Sequence, residues 1–300
     1  MSFVGGVGAV NIDLLYTGAD HIPVPGEEVF ARDFGVYLGG GTPGTLVTLG
    51  RLGVRSKILT FLGRDMFSSF ARREFDAASA EVVDLYDGED MPVTISSTMV
   101  VDGDRAFMSY GRQPEITDAM METLKRELTG AKVAPMDAGL APLFRALKAG
   151  GTTLVFDTGW EDDLSLEKHA ESLALADYYL PNRREALKIT GAASVEDAAR
   201  ALGNYMKVPI VKLDCEGCLY LKDGVLRRVP PVPGVQAVDT TGAGDAFRAG
   251  FIYGLFHDWP LEQCLQFGNI TGAACVQAVG CLTGYVDERR LLTERKRIYG

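Results

Sequence analysis

The chain has 300 residues, of which 47% are hydrophobic and 23% are charged, a balance typical of a globular protein with one large core or two modest ones. This composition excludes disordered chains, collagens and small disulfide scaffolds. Lysines and arginines number 30 against 40 aspartates and glutamates, so the formal net charge is −10, and this negative field argues against nucleic acid as a partner.

Three features of the sequence bear on where the protein is located in the cell. No basic leader is visible and the first cationic side chain is Arg32, so we expect a cytoplasmic protein. The five cysteines, an odd number, predict reduced thiols. The longest uncharged stretch, residues 263–286, is interrupted by glutamines and glycines, which favours a buried helix and loop over a membrane span.

The first apolar run, residues 3–13, predicts one buried strand that ends at the polar residues Asn11 and Asp13. Gly6 and Gly8 give the start of a dinucleotide-binding fingerprint, but Asn11 stands where that fingerprint needs its third glycine. A dehydrogenase is therefore the weaker interpretation of this segment.

Strands and helices alternate along the rest of the chain. Helices are predicted at 42–52 and 67–80, and strands at 57–63, 153–157, 176–180, 208–213, 218–221 and 225–229. Three β-rich segments interrupt them, at 27–38, 93–101 and 105–110, and the last two are joined by the turn Asp102-Gly103-Asp104. The alternation predicts a parallel sheet, and the interruptions predict a smaller sheet that stands apart from it.

The sharpest local feature is the segment 239–247, Asp-Thr-Thr-Gly-Ala-Gly-Asp-Ala-Phe, which is followed by an apolar helical stripe. The backbone N–H groups of Gly242, Ala243 and Gly244 at the helix start can approach an anion, and the helix dipole favours negative charge there. We predict that Asp245, in the first turn, removes the proton of an alcohol that attacks phosphorus. The alternative is that Asp245 only complements the dipole and the glycines only pack.

This segment closely resembles the C-terminal signature of the ribokinase-like carbohydrate kinases, the phosphofructokinase-B family. The resemblance implies an α/β fold, a three-layer α/β/α sandwich with a mostly parallel central sheet and a small β-sheet lid. It implies a single domain over residues 1–300, with lid strands inserted at about 14–38 and 90–112, and a homodimer formed through the lid. The implied activity is ATP-dependent phosphorylation of a hydroxyl on a small sugar, with Mg²⁺, with Asp245 as the base and residues 242–244 as the anion hole.

The resemblance also assigns substrate contacts. They are Asn11, Asp13, Gly39, Gly40 and Gly44. Gly44 occupies the position where the family's N-terminal signature usually has an asparagine, so one sugar contact is missing or supplied elsewhere, and the substrate need not be ribose. Asp137, after a predicted strand, is a further candidate contact.

Asn182 and Glu185 resemble the family's Asn-x-x-Glu element, which organises magnesium and phosphate through water. The same pair is the pattern of a helix capping box, which is a compatible second function. The resemblance gives five candidate nucleotide contacts, Lys212, Asp214, Gly217, Thr241 and Asn269. Asp239 and Thr241 also resemble the monovalent-cation loop of ribokinase, which many relatives lack, so K⁺ is left open.

Three other functions remain open from the sequence. A nucleoside kinase of the same fold needs an apolar slot, for which Phe34, Phe107 and Tyr110 are candidates. Arg105 and Arg112 keep an acidic or phosphorylated sugar open as the acceptor. A non-catalytic sugar or nucleotide sensor is the third, although a sensor has no need of a base.

Overall fold

Six parallel strands form the central sheet in the computed structural model, which describes residues 2–101, 104–112 and 114–300. The strands are β1 (Val4–Val7), β4 (Ser56–Thr60), β5 (Ala80–Asp84), β8 (Val133–Met136), β9 (Thr153–Phe156) and β10 (Tyr178–Tyr179). Their order across the sheet is β10-β9-β8-β1-β4-β5. The predicted parallel sheet is thereby confirmed.

Ten helices are present in the described residues. They are α1 (Gly41–Arg51), α2 (Met66–Ala77), α3 (Asp118–Leu128), α4 (Ala141–Ala149), α5 (Ala170–Leu175), α6 (Arg183–Thr190), α7 (Val195–Leu202), α8 (Ala243–Phe256), α9 (Leu261–Cys275) and α10 (Glu288–Tyr299). Alternate residues of the central strands enter two different apolar cores: Val133 and Val155 pack in one, Ala134 and Phe156 in the other. Because successive strand residues point to opposite faces, the sheet is covered on both sides, as in the predicted three-layer sandwich.

A separate four-stranded sheet is built from β2 (Asn11–Thr17), β3 (Asp33–Gly39), β6 (Thr94–Val101) and β7 (Asp104–Tyr110), in the order β3-β2-β6-β7. We call it the small sheet. The predicted single strand over residues 3–13 is wrong, because the chain leaves the central sheet after Val7 and enters the small sheet at Asn11. Gly8 lies between the two, where an added Cβ would be 2.9 Å from Pro43 and Thr42. The turn predicted at Asp102-Gly103 lies outside the described residues.

The third sheet is antiparallel and consists of β11 (Ile210–Lys212), β12 (Cys218–Lys222) and β13 (Val225–Val229). The Lys212 N–H donates to the Pro181 carbonyl at 2.8 Å, just after β10, so this sheet continues the edge of the central one. It brings the Lys212 side chain towards the carboxyl ends of the central strands.

The uncharged stretch 263–286 forms α9 and the loop after it, packed along α8. Two glycines of α8 allow this close approach: an added Cβ would be 2.3 Å from Thr271 Oγ1 at Gly250 and 2.7 Å from the Cys264 Cα at Gly254. Among the described residues, no helix is both long and apolar enough to cross a bilayer. The stretch therefore serves to anchor α8, whose first turn carries Asp245.

Candidate active site

The start of α8 forms a cradle of backbone amides. Gly242 has a left-handed conformation, φ 77°, and an added Cβ there would lie 2.3 Å from the Cys281 Cβ, so only glycine fits. The Ala243 N–H donates to the Thr240 carbonyl at 3.3 Å, so the prediction of three free amides is wrong for this one. In the described part of the chain no backbone carbonyl accepts the N–H of Gly242 or Gly244, and these two amides remain the candidates for the predicted anion hole.

Asp245 lies in the first turn of α8 with 33% of its side chain exposed. Burial raises the pKa of this carboxyl from 3.8 to about 6, with Arg248 opposing the rise and Asp157 adding to it. Such a carboxylate is ionised at neutral pH and still basic enough to accept a proton.

Arg248, one turn further along α8, was missed by the sequence analysis. Its guanidinium is fully buried and donates to Thr45 Oγ1 and Asp137 Oδ1, each at 3.0 Å, and to Asp245 Oδ1 at 3.4 Å. Asp137 in turn accepts from Thr42 Oγ1 at 2.8 Å. The available signal was an arginine inside an otherwise apolar buried stripe, because a charge at such a position needs partners.

A cavity of about 620 Å³ opens between the small sheet and the carboxyl ends of the central strands. Its polar lining includes Asn11, Gly40, Gly41, Thr42, Ser96 and Asp137, and its apolar lining includes Val7, Phe61, Ile116 and Leu140. Asp245 adjoins it through Gly41, where an added Cβ would be 3.3 Å from Asp245 Oδ1. The cavity is of the size that takes a small metabolite.

The predicted substrate residues converge on this cavity to different degrees. Asn11 donates to Asp13 Oδ1 at 2.7 Å and accepts from Ser96 at 3.1 Å, so these polar groups of the small sheet form one network. Burial raises the pKa of Asp13. Gly39 lies against Asp13, with an added Cβ 2.7 Å from Oδ2, and Gly44 lies in α1, with its added Cβ 3.9 Å from the Asp245 Cβ.

Lys212 lies on the other side of the amide cradle, 3.1 Å from a Cβ added at Gly244. Its ammonium donates to Asp157 Oδ2 at 2.8 Å, and both side chains are nearly buried. Burial alone would raise the pKa of Asp157, but Lys212 and Arg248 together hold it below its ordinary value. Asp157, at the end of β9, was another residue that the sequence analysis missed.

Asn182 and Glu185 form the capping box at the start of α6. Asn182 Oδ1 accepts from the Glu185 N–H at 2.9 Å, and the Glu185 carboxylate accepts from the Asn182 N–H at 2.8 Å and from Nδ2 at 2.7 Å. Burial, and then the nearby Asp157, raise the pKa of Glu185. The capping function is confirmed, and the metal function remains a prediction.

The metal prediction can be tested against the donors present. No three His, Cys, Asp or Glu side chains come together as a ready metal site in the described residues. Mg²⁺ normally keeps several waters and uses one or two carboxylates together with substrate phosphates. Two carboxylates near the cradle, those of Glu185 and Asp157, therefore fit a hydrated Mg²⁺ that arrives with phosphate.

The other predicted nucleotide residues are spread over the same end of the molecule. Asp214 is exposed, 3.8 Å from Arg183, and Gly217 packs where an added Cβ would be 2.2 Å from the Val229 carbonyl. Asn269 is buried and donates to the Pro230 carbonyl at 2.9 Å. Of these three, Asn269 comes nearest to a second cavity of about 150 Å³, lined by residues 232–235 and by parts of α9 and α10.

The predicted cation loop is tied by Asp239. Its Oδ1 accepts from the Thr241 N–H at 2.9 Å and from Thr241 Oγ1 at 2.7 Å, and its Oδ2 accepts from the Gly280 N–H at 2.9 Å. These bonds connect the segment before the amide cradle to the loop that follows α9. In the structure Asp239 and Thr241 thus stabilise this loop, and K⁺ binding remains a prediction.

The aromatic residues proposed for a nucleoside base do not meet. Phe34 pairs with Tyr16 and Tyr110 with Ile95, so both lie on the face of the small sheet opposite to Asp13 and Ser96. Phe107 shares the face of Ser96 but is 62% exposed and does not line the cavity. The side chain of Arg105 lies outside the described residues, and Arg112 is exposed.

Comparison with known proteins places this geometry in a family. The family model of the pfkB family carbohydrate kinases matches residues 1–288. A cytidine kinase from Thermococcus kodakarensis is 28% identical over 273 residues, which are 87% of this chain and 91% of the relative. A ribokinase from Lactococcus lactis is 22% identical over 95% of this chain and 94% of its own length.

Solved structures share the fold along the whole chain. Ribokinase of Arabidopsis thaliana, complexed with ribose and ATP, superposes with a TM-score of 0.83 at 23% identity, covering 99% of both chains. Nucleoside kinase of Methanocaldococcus jannaschii superposes with a TM-score of 0.78 at 20% identity, again over 99% of both. With the match over residues 1–288, these findings confirm the resemblance first seen at 239–247: the chain belongs to the pfkB family of carbohydrate kinases, enzymes that transfer a phosphoryl group to an alcohol.

Proposed function

We propose that this protein transfers the γ-phosphoryl group of ATP to a hydroxyl of a small sugar or sugar derivative, with Asp245 as the general base. The observation that carries the proposal is the position of Asp245, with a pKa of about 6, between the 620 Å³ cavity and the amide cradle. An acceptor in the cavity and a phosphate on the cradle would meet at this carboxylate.

The chain's own residues supply the steps of the reaction. Asp245 accepts the proton of the acceptor hydroxyl while the hydroxyl oxygen attacks the γ-phosphorus and ADP leaves. General base catalysis of this kind raises the rate about a hundred- to ten-thousandfold. The amides of Gly242 and Gly244 and the ammonium of Lys212 face the transferring group and stabilise the charge on it. Asn11, Asp13 and Asp137 orient the acceptor through its other hydroxyls.

The small sheet is proposed as a lid on a single domain. Its residues Asn11 and Ser96 line the acceptor cavity, so closure of this sheet would exclude water and protect ATP from hydrolysis. Its outer face exposes Phe34, Met108 and Tyr110, each more than half exposed. This apolar surface supports a homodimer formed through the lid.

ATP is assigned to the side of the cradle that carries Lys212. The 150 Å³ cavity beside α9 and α10 is the candidate adenine site, with Asn269 fixing the adjacent loop through Pro230. Asn182 and Glu185 would hold Mg²⁺ through water, and the ion would neutralise phosphate charge when bound. Asp214 and Gly217 shape the turn after Lys212 at the edge of this region.

A nucleoside is the second candidate acceptor, and the size of the cavity favours it. About 620 Å³, with Phe61, Ile116 and Leu140 in its wall, accommodates a base as well as a pentose. The similarity to a cytidine kinase agrees with this possibility.

The test begins with a panel of sugars and nucleosides, scored by ADP release and by thermal shift with an ATP analogue and Mg²⁺. With the best acceptor, Asp245→Asn should lose at least a hundredfold in kcat and keep its affinity for the nucleotide. Near-normal turnover by this variant would refute the base assignment. Release of ADP with nucleosides but not with free sugars would select the second candidate.

A further inference from the structure

Arg248 is the largest fully buried side chain of the described residues and is not part of the proposed chemistry. It lies three residues after Asp245, on the same face of α8. Two of its terminal nitrogens reach two different carboxylates, Nη1 to Asp137 at 3.0 Å and Nη2 to Asp245 at 3.4 Å. One rigid, planar group therefore connects the proposed base to the floor of the acceptor cavity.

The third nitrogen of the guanidinium, Nε, fixes its plane, and Nη2 also reaches Thr42 Oγ1 at 3.5 Å. Nε donates to Thr45 Oγ1 at 3.0 Å, and the single hydroxyl hydrogen of Thr45 is shared between the carbonyls of Gly41 at 3.0 Å and Asp245 at 3.3 Å. Asp137 is held from the opposite side by Thr42. Side chains from α1, from the end of β8 and from α8 thus meet at one cation, and they leave it no freedom to turn.

We propose that Arg248 is a positioning residue that holds Oδ1 of Asp245, so that Oδ2 faces the acceptor hydroxyl at a fixed distance from Asp137. The inference rests on the proposed function, in which Asp245 is the base. In the described residues no group donates to Asp245 Oδ2, which leaves that oxygen for the substrate. Arg248 itself is covered and does not touch the acceptor.

The charge of Arg248 favours the ionised form of Asp245, which is the form that accepts a proton. Groups from every packed element face Asp245: Arg248 on α8, Lys212 on β11, Asp157 after β9, Asp137 after β8, and the thiols Cys275 and Cys281 at the end of α9 and beyond. Arg248 is the first of these to lower the pKa of Asp245. Without it two carboxylates would face the base with only Lys212 to oppose them.

The first experiment measures kcat against pH for Arg248→Met and for the wild type. The acid limb, which reports the ionisation of the base, should move up by about 1 to 3 pH units, and the plateau at high pH should stay at least tenfold low because the carboxylate is no longer held. Arg248→Lys keeps the charge, so it should bring the acid limb most of the way back to its wild-type pH but restore only part of the plateau kcat. Arg55→Met, at a surface ion pair with Glu81, is the control and should behave as wild type.

A second comparison separates positioning from folding, because Arg248→Met leaves buried carboxylates without a partner. Asp137→Asn should fold and move the acid limb down, since a negative neighbour of Asp245 is lost. Arg248→Met with Asp137→Asn restores the charge balance, and it should melt near the Asp137→Asn single variant and still turn over at least tenfold more slowly. Equal turnover and equal acid limbs in these two variants would overturn the inference.

Failure of this inference can be told from failure of the proposed function. If Asp245→Asn retains turnover, the base assignment itself is wrong. If Asp245→Asn is inactive and the Arg248 variants keep the wild-type pH profile, Asp245 is the base and Arg248 serves only the fold.

Discussion

Asp245 and Asp157 are two carboxylates beside the amide cradle, and their pKa values move in opposite directions. Asp157 is 2.8 Å from the Lys212 ammonium, and its pKa is lowered. Asp245 has only a longer contact, 3.4 Å, to an arginine that is also bound to Asp137, and its pKa is raised to about 6. Burial acts to raise the pKa of each carboxyl, so the quality of the pairing decides the sign of the net shift.

The difference supports the proposed division of work between the two carboxylates. A carboxylate in a close ion pair stays ionised and fixes its cation, which suits the proposed phosphate side. A carboxylate whose partner is shared keeps a pKa near neutrality, which suits proton transfer. The two carboxylates thus differ in their cations: Asp157 has a close ion pair with Lys212, whereas Asp245 shares Arg248 with Asp137.

After Asp245→Asn, the largest effect is expected at Lys212, on the proposed phosphate side. Lys212→Met should lower kcat/KM for ATP by about ten- to a hundredfold, because a charge-assisted hydrogen bond is worth about 1.5–3 kcal/mol. Lys57→Met is the matched control, since Lys57 is similarly covered and paired with Glu81 and Glu127 but lies at the opposite ends of the strands. A loss of ATP affinity in both variants, or in neither, would remove the phosphate assignment of Lys212.

A smaller effect is expected where α1 meets the acceptor side. In Gly41→Ala the new methyl group would be 3.3 Å from Asp245 Oδ1 and 3.5 Å from Arg248 Nη2, and kcat should fall about tenfold as the carboxylate is displaced. Gly44→Ala, with 3.9 Å to its nearest neighbours, should reduce kcat less. The reverse order would show that the space at Gly41 is not used by the reacting groups.

The smallest effects concern stability, and they should have opposite signs. The pKa of Asp245 is raised in the folded state, so its contribution to stability is present below pH 3.8 and is lost as the pH rises through about 6. Asp245→Asn should therefore raise Tm at pH 7.5 by roughly 2–4 °C. A lowered pKa, as in Asp157, stabilises above pH 3.8, so Asp157→Asn should lower Tm at pH 7.5. Thermal melts at pH 7.5 and pH 4 test both, and shifts of the same sign at pH 7.5 would contradict the comparison.

Much of the site was predictable because its signals are local in sequence. The glycines before Asp245 mark a helix start, and Asn182 with Glu185 mark a capping box. Each of these features needs only neighbouring residues to form. The parallel sheet was equally predictable, since alternation of strands and helices leaves few other arrangements.

The pairings that tune the site were not predictable from local pattern, although the apolar stripe around Arg248 marked it as a charge in need of partners. Arg248 meets Asp137 across 111 positions of the chain, and Lys212 meets Asp157 across 55. The bend after Val7 depends on Pro43 and Thr42, which pack against Gly8 from a distant part of the sequence. Pairings of this kind are set by tertiary packing, and a single sequence carries no record of them.

The central claim is that Asp245 works as a base with a pKa near neutrality. The most direct measurement is the pH dependence of kcat/KM for the acceptor with the wild-type enzyme, because kcat/KM reports the ionisation of the base before the acceptor binds. The account predicts a one-proton fall in kcat/KM as the pH drops below about 6. A kcat/KM that stays constant from pH 8 down to pH 4.5 would contradict it.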